Sequence, residues 1–243
     1  MAETQIGRSA AFFRVEGTLL DRGPLAAAAW LASNAQGVGE RIARLGNVAL
    51  AAPLAFAGEL RTGATSTRVT WMGLRGMSED RLVILAEEYG SKYVEGEVLE
   101  IGAELLKKAR KQGRQIVLVS DNIDLVVAPL AEALEADDLI CNRLEIRSEK
   151  ATGRLEDPVI GGNVSGQWAR AFAQEHGIDL STSWAYGASG ADSLLLSAIG
   201  QPCAVNPDRQ LRRLARDHEW PVVEKRARDM SEETGRKEDR VSG

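Results

Sequence analysis

The chain has 243 residues, 44% hydrophobic and 27% charged. That is the balance of an ordinary globular protein and room for one large domain or a domain with an inserted segment. A net charge of −5 and a pI near 5.3 argue against nonspecific attachment to nucleic acid or to an anionic membrane. Two cysteines, Cys141 and Cys203, are too few for a disulfide framework and have no CxxC spacing; they read as small buried hydrophobes in a reducing, cytoplasmic setting.

Residues 1–9 read as a loose terminus with no basic-then-apolar leader. A short buried strand is expected over 10–15, Ala-Ala-Phe-Phe-Arg-Val, ending in the turn Gly17-Thr18. Arg14 and Glu16 lie two apart, so an extended strand end points both to one side. Charged pairs at the carboxyl end of a buried strand mark a site in open α/β sheets. Pro24 then opens an alanine-rich helical run to residue 34.

From there to about Gly96 the apolar spacing is helical, clearest over 41–56 and 81–94, with Ser78-Glu79-Asp80 as a helix start. No run in this region reads as a strand, and 23–96 is expected to be an all-helical insertion. Its longest uncharged stretch, 45–58, contains Pro53 and is too short to span a bilayer, so membrane contact is not expected.

Beyond residue 97 the rhythm becomes strand and helix in alternation. An amphipathic helix over 97–112 ends at Gly113, and a buried strand covers 115–120. A helix over 123–134 follows, which Asp121 would cap, then a short strand over 138–141. A small hairpin is expected around 144–146 and 153–155. A helix over 165–176 is closed by Gly177, and a strand over 183–187 ends in glycine. A helix over 192–199 has Gly200 beyond its end, and a last strand over 203–205 leads into a helix over 208–218. This alternation predicts a parallel sheet with helices on both faces. Residues 224–243 are crowded with charge and read as a disordered tail.

Four segments resemble the haloacid dehalogenase superfamily, closest to its phosphoserine-phosphatase-like branch, subfamily IB. Phe12-Phe13-Arg14-Val15-Glu16-Gly17-Thr18-Leu19 is similar to motif I, Asp-x-Asp-Gly-Thr. Ile116-Val117-Leu118-Val119-Ser120 resembles motif II, a strand ending in Ser or Thr. Tyr186-Gly187-Ala188-Ser189-Gly190-Ala191-Asp192 resembles motif IV, Tyr-Gly-Asp-Ser-x-x-Asp. Cys203 to Asp208 through Trp220-Pro221-Val222 resembles the branch's C-terminal signature. The resemblance implies a three-layer Rossmannoid α/β core over 8–22 and 97–223, with a helical cap over 23–96 covering the site.

The catalytic positions implied by the resemblance are degenerate. Arg14 stands where the family has its nucleophile and magnesium ligand, and a guanidinium has no usable lone pair with which to form an aspartyl-phosphate. Glu16 takes the general-acid position, and Ser120 retains the phosphate-binding hydroxyl. Ser165 aligns with the motif III lysine, and no lysine lies between Lys150 and Lys225. Ala188 replaces the first acid of motif IV and Asp192 matches the second, leaving Asp192 as the residual metal candidate. Magnesium prefers hard anionic oxygen, and Arg14 brings positive charge to its place. An internal ion pair of Arg14 with Asp192 or Glu16 is expected instead of a metal, and no cofactor, although the active members use magnesium.

Asp121 and Asp124 are acids near motif II, but capping explains Asp121 better than substitute nucleophile. His176 and His218 suit helix C-terminal ends, and Gly161-Gly162-Asn163 lacks the Lys-Ser or Lys-Thr of a phosphate loop. The leading expectation is an inactive phosphatase-like protein with a binding or regulatory role, its partner a protein or a small phosphorylated ligand. Arg14, Glu16, Ser120, Asn122 and Asp192 are the candidate ligand-binding residues. Two alternatives stand beside it: a weak or altered magnesium-dependent phosphomonoester hydrolase using Ser120, Asp121, Glu16 and Asp192, and a small-anion sensor built on Arg14.

Overall fold

The computed structural model describes residues 8–34, 64–93, 97–161 and 164–224. The strands are β1 (Ala10–Arg14), β2 (Gln115–Ile123), β3 (Asp138–Asn142), β4 (Leu144–Arg147), β5 (Lys150–Leu155), β6 (Trp184–Gly187), β7 (Gln201–Val205) and β8 (Val222–Val223). The helices are α1 (Pro24–Ser33), α2 (Ala64–Thr70), α3 (Glu79–Tyr93), α4 (Glu100–Lys111), α5 (Asp124–Ala133), α6 (Ser165–His176), α7 (Ser193–Ala198) and α8 (Arg209–Asp217). Six strands form one parallel sheet in the order β3-β2-β1-β6-β7-β8, and β4 and β5 pair as a separate antiparallel hairpin.

Burial on both faces follows from the apolar strand sequences. Along β1 every residue is buried, and alternate side chains enter different cores. Ala11 and Phe13 join Ile116, Leu118, Tyr186, Cys203 and Val205 beneath α1, α3, α4 and α5. Ala10 and Phe12 join Val117, Val119, Ala185 and Ala204 beneath α6, α7 and α8. The outcome is the expected three-layer α/β architecture. Phe13 stacks on Tyr186 with ring centroids 4.4 Å apart, fixing β1 against β6.

Wherever 23–96 is described, its regular elements are helical. The alanine-rich face of α1 buries Ala27, Ala28, Leu31 and Ala32 in the same core as Phe13 and Leu118, together with Trp71, Leu74, Leu82 and Leu85. The helical run expected over 41–56 and the charged tail beyond Glu224 lie outside the described residues. No helix among the described residues is long and apolar enough to cross a membrane.

Three local expectations are corrected. β2 does not stop at Ser120 but runs to Ile123, with a register irregularity between Val119 and Ile123, so α5 starts one residue later than expected. Asp121 therefore caps nothing: the residue before α5 is Ile123, and no side chain caps that end. The helix expected from 192 is a short 3-10 turn, Gly190–Asp192, followed by α7. Gly177 does close α6 in the left-handed conformation, at φ 64°. Asp208 caps α8 by accepting the Leu211 N–H at 2.6 Å.

Candidate functional site

β1 is central, with β2 and β3 on one side and β6, β7 and β8 on the other. The chain turns opposite ways from it, and the carboxyl ends of β1, β2 and β6 meet at that switch point. Parallel pairing sets Arg14 opposite Val119, so the end of β1 lies just before Ser120-Asp121-Asn122 of β2. After β1 the chain folds back in a tight loop, with the Gly17 N–H donating to Leu20 O and the Leu20 N–H to Val15 O. Gly17 takes φ +77° there, and a Cβ on it would lie 2.8 Å from the Ala188 Cβ. The motif I loop and the loop after β6 thus interlock through a residue that must be glycine.

Arg14 sits at the centre of this junction with 4% of its side chain exposed. Each of its three nitrogens meets a different carboxylate. Nε pairs with Asp192 Oδ1 at 2.8 Å, Nη1 with Asp121 Oδ1 at 2.8 Å and Nη2 with Glu16 Oε2 at 3.1 Å. Asp192 is as buried as Arg14, whereas Glu16 and Asp121 are 14% and 18% exposed, so the cluster opens to solvent on their side. Arg14 engages both expected partners and a third, Asp121. Three carboxylates therefore surround one guanidinium.

A second set of donors holds the carboxylates in place. Asp192 Oδ2 accepts the Ala188 and Ser189 N–H groups at 2.9 Å each and the Ser189 hydroxyl at 3.2 Å. Gly187 lets it approach, since a Cβ there would lie 2.8 Å from the Asp192 Cβ. Glu16 Oε1 accepts the Ser120 hydroxyl at 2.5 Å, the Asn122 amide at 3.0 Å and the Asp121 N–H at 3.2 Å. The Asn142 side chain donates to the Asp121 carbonyl at 2.9 Å and anchors the bulged stretch of β2. Burial opposes the charged form of Arg14, but the three carboxylates outweigh it and raise its pKa well above the ordinary value. Burial pushes the Glu16 carboxyl up; Arg14 pulls it back and Asp121 pushes it further.

The structure brings Arg14, Glu16, Ser120, Asn122 and Asp192 together, as expected from the sequence, and adds Asp121. Ser120 is fully buried; its hydroxyl donates to Glu16 and accepts the Asn122 N–H at 3.1 Å. Ala188 is buried at the end of β6, where it offers a backbone N–H to Asp192 and no carboxylate. Ser165 is buried in the first turn of α6, next to Gly166, which packs against the Leu194 carbonyl. His176 stacks on Phe172 and His218 on Trp220, both at helix ends. Burial pushes the Cys141 thiol up to about 12 and the Cys203 thiol up to about 11, which keeps both protonated.

Magnesium, which the family resemblance implies, does not fit these residues. The centre of the carboxylate ring is a guanidinium, and among the described residues no three His, Cys, Asp or Glu side chains are grouped to hold a metal ion.

The chain is 31% identical over 151 residues to an "Inhibition of morphological differentiation protein" of Streptomyces azureus, covering 62% of this chain and 54% of that one. It is 28% identical over 149 residues to a phosphoserine phosphatase of Mycobacterium tuberculosis, covering 61% and 48%. It thus spans about half the length of these curated relatives. A substrate-bound phosphoserine phosphatase structure superposes with a TM-score of 0.67 at 21% identity, over 90% of this chain and 94% of the other, a likeness of fold. The profile of the haloacid dehalogenase-like hydrolases matches residues 11–197. With that match over most of its length and with phosphoserine-phosphatase-like relatives, the chain belongs to the haloacid dehalogenase-like hydrolase family.

Proposed function

We propose that this chain is a phosphatase-like protein without phosphoryl-transfer chemistry, serving as a binding or regulatory protein in the cytoplasm. The observation that carries the reading is Arg14 at the nucleophile position, held by three carboxylates. Its guanidinium offers no lone pair to phosphorus. Glu16 is occupied by three donors as well as Arg14, and the Ser120 proton is committed to Glu16. Three carboxylates against one cation also give a field that repels a phosphate monoester, which weighs against the small-anion sensor. The described helices between 24 and 93, which bury their apolar faces in the core of Phe13 and Leu118, form the proposed recognition surface for a protein partner.

The test is phosphate release over a panel of phosphomonoesters, with and without magnesium. Wild type is compared with a variant carrying Arg14→Asp, Glu16→Asp, Ser165→Lys and Ala188→Asp. Silence from wild type with turnover from the restored variant is the expected result; magnesium-dependent turnover by wild type sinks the proposal. One observation favours a second reading, a weak hydrolase with a displaced nucleophile: the Asp121 carboxylate faces the cluster instead of capping α5. In that case Asp121→Asn abolishes the turnover that wild type shows.

A further inference from the structure

We infer that Glu16, Asp121 and Asp192 form a guanidinium receptor filled from within the chain by Arg14, and that this internal cation takes over the place of the family's divalent metal. The inference deepens the proposed function and rests on its reading of Arg14 as a fixed, non-reacting group.

The shape of the ring is the first argument. A planar guanidinium spreads its charge over three nitrogens, and here each has its own carboxylate oxygen at 2.8–3.1 Å, Nη1 through a hydrogen bond to Asp121 and Nε and Nη2 through ion pairs to Asp192 and Glu16. The oxygens lie farther still from the centre of the group. Magnesium and calcium need their oxygens at about 2.0–2.6 Å from the ion. A ring opened to guanidinium size is too wide for direct coordination of either, in keeping with the lack of a metal-sized grouping among the described residues.

The second argument is that the ring does not depend on Arg14 for its form. Asp192 is fixed by two backbone N–H groups and a hydroxyl, Glu16 by a hydroxyl, an amide and a backbone N–H, and the Asp121 backbone by Asn142. The Asn122 Oδ1, buried on the same amide that donates to Glu16, has no hydrogen-bond partner. Among the described residues Glu16 Oε2 likewise makes no hydrogen bond, so the ring keeps acceptor oxygens for a cation. Truncating Arg14 leaves a preorganised anionic ring with its donor removed.

The test uses thermal melts of the full chain and of Arg14→Ala in tens of millimolar guanidinium chloride, magnesium chloride or sodium chloride at matched ionic strength. Wild type is expected to gain nothing from magnesium and nothing from guanidinium. Arg14→Ala is expected to melt lower and to recover roughly 3–6 °C in guanidinium, with no recovery in magnesium or sodium. Adding Asp121→Asn to Arg14→Ala should shrink that recovery. Arg14→Lys supplies one ammonium for three carboxylates and should fall between wild type and Arg14→Ala.

A rise of the wild-type melt in magnesium overturns the inference. So does recovery of Arg14→Ala in magnesium rather than guanidinium, or in neither, or an Arg14→Lys chain as stable as wild type. If Arg14→Ala is unfolded in plain buffer, return of a cooperative melt in dilute guanidinium supports the inference, and its absence overturns it. Phosphatase turnover by wild type with unchanged melts would sink the proposed function, whereas a magnesium response without turnover would sink this inference alone.

Discussion

Replacing Arg14 with methionine keeps an unbranched side chain of similar reach and removes the cation. Removing one partner from a buried ion pair costs about 3–5 kcal/mol, because a charge is left without compensation in a poorly solvated place. Arg14 serves three carboxylates, but their losses do not add. Asp192 keeps two N–H groups and a hydroxyl, and Glu16 keeps three donors and can take up a proton, its carboxyl already being pushed up by burial. Glu16 and Asp121 also reach solvent in part. The expected loss is therefore about 4 kcal/mol, carried mainly by Asp192, the partner buried as deeply as Arg14. With a urea slope of about 2 kcal/mol per molar, the midpoint falls by about 2 M. Urea is the denaturant of choice, since guanidinium is itself a ligand for the ring. Adding Asp192→Asn removes the most deeply buried unpaired charge, and a double-mutant cycle should give a coupling of about 1–3 kcal/mol. A loss below about 1 kcal/mol, or strict additivity, would refute the picture of a buried ring whose charges depend on Arg14.

Three further changes probe the surroundings. The Glu16 carboxyl is raised from 4.5 by burial, so its contribution to stability is complete below 4.5 and is lost as pH rises through the higher folded-state value; in pH-dependent urea melts, Glu16→Gln should lack that decline. Gly102→Ala would set a Cβ 2.2 Å from the Thr18 carbonyl, so although alanine is the better helix former, a loss of about 1–3 kcal/mol is expected in the same melts, and a gain would show that α4 has room to retreat. Asp208→Ala removes the cap on Leu211 and the bond at 3.0 Å that ties the Gly190 N–H to α8, for a loss of about 1–2 kcal/mol by thermal or urea denaturation.

The sheet was legible in the sequence because its strands are short apolar runs ended by Gly or by charge, and burial on both faces leaves few other ways to place Phe12, Phe13, Val117 and Leu118. Arg14, Glu16 and Asp192 could be assembled because the carboxyl ends of neighbouring parallel strands must meet. Asp121 could not be assigned correctly. Ser120-Asp121-Asn122 has the composition of a helix start, and local propensity chooses a cap. What wins is a bulge that carries β2 on to Ile123, a choice dictated by pairing with Asn142 and by attraction to a guanidinium from a strand about a hundred residues away. No local signal carries that information. A sequence clue did exist: an arginine at a buried strand end with only two known acids offers unused N–H groups, and the nearest further acid beyond the adjoining strand is Asp121.

The arrangement also shows how the carboxyl edge of the sheet holds three carboxylates together around one guanidinium. The three carboxylates come from the loop after β1, the bulged end of β2 and the 3-10 turn after β6. Like charges at three loop ends repel, and a fold that holds them together is stabilised by a cation among them. A guanidinium from the end of β1 meets that need without any bound ion, through a hydrogen bond to Asp121 and ion pairs to Glu16 and Asp192. An alanine at this position would leave Glu16, Asp121 and Asp192 without the counter-charge that Arg14 supplies. An arginine there sets one guanidinium against carboxylates from all three segments. In the proposed reading the residue at the nucleophile position also neutralises the carboxyl edge of the sheet, which is why stability and metal dependence, rather than turnover alone, are the properties that discriminate between a merely damaged enzyme and a site rebuilt around its own cation.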